Sequence, residues 1–268
     1  MLNLNTIGNS PKVGLGDCLL IAACAQEYYK KYNKKLKYVA SPIVRDILKE
    51  NPYFQIVDNC KVDLTLKWYS EINRSNLSKF HTLQRFSMQM GFYIDPTAVV
   101  DIYLDGNHIV NTPSKKYVCL NALANERTRR YIPEKYVDFM VDYIKSKGYE
   151  VIWTGDNYTS DTVKDVKACA LLYKDCSLFI GPVSFQYHLA AAVRAPSLLF
   201  CSYMPFYKYS HFIMTDHVYS TRNCVYRCEE KCDDNDKQMR RENDCLEFCR
   251  AVDYDKTEII VKLNKYLK

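Results

Sequence analysis

The chain of 268 residues predicts an α/β fold made of two doubly wound domains, and three observations lead there. Short apolar runs rich in β-formers alternate with longer stretches of helical period, the pattern of a parallel sheet with crossover helices. The alternation runs through twice, with the turn-rich stretch Asp105 to Lys116 between, which carries Gly106, Asn107, Pro113 and Ser114. An apolar fraction of 48% is enough to bury real cores and argues against disorder.

In the first half, Leu2–Ile7 reads as a strand, Asp17–Lys31 as a helix, Leu36–Ala40 as a strand and Ile43–Glu50 as a helix closed by Pro52. Phe54–Val57 reads as a short strand, and Thr82–Met90 as a helix stopped by Gly91. The second half restarts with strand Tyr117–Leu120 and helix Pro133–Lys147, which ends at Gly148, a usual stop just past a last turn. Strand Glu150–Thr154, helix Thr159–Tyr173, strand Ser177–Ile180, helix Ser184–Arg194 and strand Ser197–Cys201 follow. The expected domains are 1–112 and 113–268. A final helix, Lys256–Leu267, sets Ile259, Ile260, Leu263 and Leu267 on one face, so it must pack on something, and it is free to cross back over the first domain.

Met1 to Lys12 carries Asn3, Asn5, Asn9 and Pro11 where a signal peptide needs an apolar segment, so a cytoplasmic location is expected. The best membrane candidate, Cys18 to Ala25, is far shorter than the roughly 20 residues a spanning helix requires. It reads as a buried helix. The net charge of +6 is uneven, with 15 Lys and Arg against 10 Asp and Glu in residues 1–116 and 22 against 21 in the rest. An anionic partner for the first half follows from that asymmetry, although Lys30, Lys31, Lys34, Lys35 and Lys37 taken alone also read as a solvated face.

Twelve cysteines without a secretory context argue for thiols or a metal rather than a disulfide framework. Seven are scattered through predicted elements, as Cys119 and Cys201 are, and pack as small hydrophobes. The other five, Cys224, Cys228, Cys232, Cys245 and Cys249, form a cluster whose three-residue gaps put sulfurs on one helical face. Cys228, Cys232, Cys245 and Cys249 could close a zinc tetrahedron, against the alternative of ordinary thiols.

Three motifs carry chemistry. In Gly14-Leu15-Gly16-Asp17, Gly14 and Gly16 allow close backbone approach to a ligand, and Asp17 opens a helix facing the carboxyl end of the first strand. The plain alternative is that Asp17 only caps the helix, and the glycines do not complete a dinucleotide fingerprint. In Arg127-Thr128-Arg129-Arg130-Tyr131-Ile132-Pro133, arginines stand before a helix N-terminus, where guanidinium forks and backbone N–H groups suit a diphosphate. In Phe179 to Ala192, a strand, a tight turn and a small-residue helix put Ser184 and His188 one turn apart on one face.

In this order and spacing the motifs resemble glycosyltransferase family 9, the ADP-heptose lipopolysaccharide heptosyltransferases and their relatives. The likeness runs over nearly the whole chain, including Glu50-Asn51-Pro52, the segment from Tyr131 to Gly155, and Cys245-Leu246 before the final helix. The resemblance implies a GT-B fold, an acceptor domain followed by a nucleotide-sugar domain across a cleft, and inverting transfer without a required cofactor or metal. It implies Asp17 as catalytic base and Arg130 as donor-phosphate ligand with Arg127 and Arg129 as neighbours. Gly155, Asp156, Ser184 and His188 complete the implied donor side. The family's usual Asp-Ser-Gly is Val183-Ser184-Phe185 here, so a donor sugar other than heptose is open, and the chain is short on the acceptor side.

The co-substrate is then a nucleotide-diphosphate sugar. The acceptor is either a lipopolysaccharide core or a hydroxymethylated base in phage DNA, the second suggested by the Lys, Asn and Tyr richness of an AT-rich genome. From a different class, a catalytically inactive nucleotide-binding module or a zinc-dependent nucleic-acid-binding module would keep the fold and the cysteines without needing Asp17.

Overall fold

Among the described residues, the apolar runs form nine strands and the helical stretches seven helices. The computed structural model describes residues 4–11, 13–67, 80–104, 113–124, 130–157, 159, 162–201, 213–221 and 252–268. Two compact units divide the chain, one of residues 1–109 with 191–193 and 207–213, the other of residues 110–190 with 194–206 and 214–268. Residues 105–112 of the expected linker lie outside the described residues.

In the first unit, β1 (Thr6–Asn9), β2 (Leu36–Val39), β3 (Phe54–Ile56) and β4 (Leu64–Leu66) form a parallel sheet in the order β3-β2-β1-β4. The first strand sits later than the expected Leu2–Ile7, because it is Gly8 and Asn9 that find partners, Gly8 opposite Val39 and Thr65, and Asn9 opposite Leu66. Helix α1 (Leu15–Tyr32) begins two residues before Asp17. Its segment Cys18 to Ala25 is buried on every side, as its uninterrupted apolar character demands. Helix α2 (Pro42–Leu48) starts with a proline, whose missing N–H costs nothing in a first turn. Helix α3 (Thr82–Gln89) packs along α1. Asn51, from the Glu50-Asn51-Pro52 segment, is a buried pin: its Nδ2 donates to the Asp101 carbonyl at 2.8 Å, while Gln26 Nε2 donates to the Asp101 carboxylate at 2.9 Å.

The second unit holds a five-stranded parallel sheet, β5 (Tyr117–Leu120), β6 (Glu150–Trp153), β7 (Leu178–Pro182), β8 (Ser197–Cys201) and β9 (Thr215–Tyr219), in the order β6-β5-β7-β8-β9. Helices α4 (Glu134–Ser146), α5 (Val166–Asp175) and α7 (Lys256–Tyr266) belong to it by sequence position, as does α6 (Phe185–Ala192) up to Ala190. Helix α4 stops before Gly148, whose φ of 81° is a conformation other residues resist. Helix α5 begins well after the expected Thr159, because Val163 is held extended against Trp153 and Thr154, and Asp165 then caps the helix by accepting from the Ala168 N–H at 2.8 Å.

Val118, Leu120, Ile180 and Leu198 of the sheet meet Val137, Met140 and Ile144 of α4 in one core. Ile259, Leu263 and Leu267 of the final helix join that core, which accounts for its apolar face. Among the described residues no helix is long and apolar enough to cross a membrane.

Candidate functional site

Open parallel sheets bind ligands beyond the carboxyl ends of their strands, where the strand order reverses. In the second unit the reversal lies at β5, which has β6 on one side and β7 on the other. Four polar residues gather beyond those strand ends: Asn121 directly after β5, Asp156 and Asn157 after β6, and Ser184 after β7.

Asn121 ties the three ends together. Its Nδ2 donates to the Leu123 carbonyl at 3.0 Å and to the Asp156 carbonyl at 2.8 Å, and its Oδ1 accepts from Ser184 Oγ at 3.2 Å. Asn157 reinforces the join, with Nδ2 donating to the Thr154 carbonyl at 2.8 Å and Oδ1 accepting from the Ala122 N–H at 2.6 Å. Tyr173, from α5, donates to Thr154 Oγ1 or Gln186 Oε1 at 2.8 and 2.7 Å. Gly155 is confined by this packing: its φ is 66°, and an added Cβ would stand 2.8 Å from Gln186 Cγ and 2.9 Å from Asn121 Nδ2.

The expected donor-side residues are brought to this place to the extent that they are described. Arg130 Nη1 donates to the Val183 carbonyl at 3.3 Å, which turns the guanidinium onto the β7–α6 turn. Ser184 and His188 are both buried and lie on successive turns, the His188 N–H bonding the Ser184 carbonyl at 3.3 Å. Arg127 and Arg129 lie outside the described residues, as do Cys224, Cys228, Cys232, Cys245 and Cys249. Among the described residues no group of three or more His, Cys, Asp or Glu could hold a metal ion.

The first unit has its own reversal, at β1 between β2 and β4, and Asp17 follows the carboxyl end of β1. Asp17 is not the residue that opens the helix. It sits in the first turn of α1 and reaches back so that Oδ2 accepts from the Gly14 N–H at 3.1 Å. Gly14 holds the cap position, and Gly16 lies within the first turn. A negative charge placed there is favoured by the positive end of the helix.

Sequence reasoning missed Asn121, Asn157, Thr154, Tyr173 and Gln186. The only signal was Asn121 itself, a carboxamide set directly after the apolar run Tyr117–Leu120.

No family model and no curated protein matches the sequence. Solved structures do match. The iron-containing dodecameric glycosyltransferase TibC from enterotoxigenic E. coli H10407 superimposes with a TM-score of 0.74 at 16% identity, over 100% of this chain and 78% of that one. A glycosyl transferase family 9 structure from Veillonella parvula DSM 2008 gives 0.69 at 10% identity, over 100% and 98%. The fold is that of glycosyltransferase family 9. The ADP-heptose lps heptosyltransferase II of E. coli matches at 0.63 and 10% identity, over 82% of this chain and 92% of that one. TibC has also been solved in complex with ADP-D-beta-D-heptose.

Proposed function

We propose that the chain is an inverting glycosyltransferase that moves a sugar from a nucleotide-diphosphate donor to an acceptor hydroxyl, with no metal taking part in the transfer. One observation carries this reading: Arg130 is turned onto the β7–α6 turn beside Ser184, at the reversal point of a sheet whose fold is shared with heptosyltransferases. A guanidinium and a helix N-terminus together suit a diphosphate. The second unit is then the donor side and the first the acceptor side. Arg127, Arg129, Gly155, Asp156, Ser184 and His188 are assigned to the donor side with Arg130.

In the reaction, Asp17 takes the proton of the acceptor hydroxyl as that oxygen bonds to the anomeric carbon from the face opposite the diphosphate. The anomeric carbon–oxygen bond breaks, its electron pair leaves with the diphosphate, and Arg130 neutralises the growing charge. An ionised carboxylate is a weak base, so it acts late, once the attacking oxygen has become acidic. Placement matters more than basicity.

A nucleotide-sugar panel headed by ADP-heptose tests the proposal, with release of nucleoside diphosphate as the readout. Release that depends on added acceptor supports it. Donor binding without release identifies a nucleotide-binding module instead, and no binding at all overturns the reading.

The excess of basic residues in positions 1–116 favours an anionic acceptor, a phosphorylated lipopolysaccharide core or DNA carrying hydroxymethylated bases, met in the cytoplasm. If DNA is the acceptor, duplex binding at low salt weakens steeply as salt rises through counterion release. No duplex binding at low salt selects the lipopolysaccharide core. Metal analysis of the purified protein decides separately whether Cys228, Cys232, Cys245 and Cys249 hold an ion.

A further inference from the structure

The polarity of the hydrogen bonds around Asn121 fixes what Ser184 can recognise. Asn121 Nδ2 faces two backbone carbonyls, those of Leu123 at 3.0 Å and Asp156 at 2.8 Å. Carbonyl oxygens only accept, so the amide nitrogen must lie on that side and both its hydrogens are used. The Asn121 oxygen is therefore the atom turned to Ser184, at 3.2 Å, and it too can only accept. The Ser184 hydroxyl has one hydrogen, and it is committed to Asn121. What Ser184 Oγ still offers is a lone pair.

A lone pair repels a phosphate oxygen and attracts an O–H. We propose that Ser184 is a specificity-determining residue that accepts a hydrogen bond from a hydroxyl of the transferred sugar, and that Asn121 is the positioning residue that imposes this polarity. The inference rests on the donor-site reading given above. Within that site it divides the labour: Arg130, which donates only, serves the diphosphate, and Ser184, which at this position accepts only, serves the sugar. Burial sharpens the selection, because Ser184 is only 8% exposed and a mismatched polar group there has little water to turn to.

Calorimetry with ADP, UDP and GDP and with ADP-heptose, UDP-glucose and GDP-mannose tests the inference on the parent chain, Ser184→Ala and Ser184→Thr. The nucleotide sugar that binds the parent most tightly should lose about tenfold in affinity with Ser184→Ala, while its free nucleoside diphosphate keeps the parent affinity. Ser184→Thr, which restores a hydroxyl, should recover most of the loss. Asn121→Ala, checked by melting temperature to be folded, frees the hydroxyl to rotate and should also narrow the preference for the sugar over the free diphosphate. Equal losses for the sugar and the free diphosphate in Ser184→Ala would mean that Ser184 holds phosphate, and so would no loss for the sugar in a variant that still binds the diphosphate overturn the role. A parent chain that binds none of the six ligands fails the donor-site reading itself, and the inference falls with it.

Discussion

At the scale of single residues, Asp17 and Arg130 bear the proposed chemistry, and each already has a bond inside the protein. Asp17 Oδ2 accepts from the Gly14 N–H at 3.1 Å, and the side-chain oxygen of asparagine can do the same. Asp17→Asn should therefore abolish transfer while leaving donor affinity unchanged and melting temperature within a few degrees, since the proton acceptor is lost while the bond to Gly14 can be kept. Transfer at near the parent rate would reduce Asp17 to a helix-capping residue. For Arg130, alanine removes a charge-assisted contact to the diphosphate, typically worth about 1.5 to 3 kcal/mol, so calorimetry should show donor affinity falling about tenfold or more. Lysine should recover part of it, restoring charge without the two-pronged geometry. Unchanged diphosphate affinity in the alanine variant would pass the phosphate role to Arg127 or Arg129.

At the scale of elements, the junction of β9 and α7 makes a prediction about pH. Burial pushes the Asp216 carboxyl up, but hydrogen bonds from Lys265 at 2.7 Å and Tyr266 at 2.5 Å, with the Lys262 charge nearby, outweigh it and hold Asp216 below its ordinary 3.8. A depressed folded-state value means that the stabilisation is present above 3.8 and is lost as pH falls through the folded value. In denaturant titrations Asp216→Asn should be less stable than the parent at pH 7, and the gap should close as pH falls below 3.8 and through the lower folded-state value. A gap that persists in acid would mean that the carboxylate charge is not what fastens α7 to the strand.

The elements also show what a sequence can disclose. Strands β5 and β8 and helix α1 were legible because burial on all sides leaves continuous apolar runs. Strand β9, Thr215-Asp216-His217-Val218-Tyr219, was not, because only Val218 is buried and the rest carries polar groups that α7 partly serves. Strand β4 is three residues long and too short to show a period. The start of α5 is not legible in the sequence, since Val163 is drawn into pairing by Trp153, a partner that local propensity does not see. The same reason hid the Asn121 network: its members come from three strand ends separated by up to 63 positions, and only the fold brings them together.

At the scale of the whole molecule, the two units are each built on a parallel sheet whose reversal point carries a motif singled out from sequence, Gly14 to Asp17 in one and Val183 to His188 in the other. The thiols inside these units have a use unconnected with catalysis. Cys18 and Cys24 lie buried in the first unit, and Cys119, Cys169, Cys176 and Cys201 in the second, while Cys60 is exposed. Burial pushes the Cys18 thiol up to about 11, the Cys169 and Cys201 thiols up to about 12, and the Cys24 thiol higher still. Thiols so protonated and so enclosed meet an alkylating reagent only when the surrounding structure opens. Pulsed alkylation read by mass spectrometry should thus mark Cys60 at once, and Cys18 and Cys24 at one shared rate set by opening of the first unit. Rapid marking of Cys24 in the native protein would contradict this. The chain carries clocks in both halves, and a single labelling time course can tell whether they run together or apart.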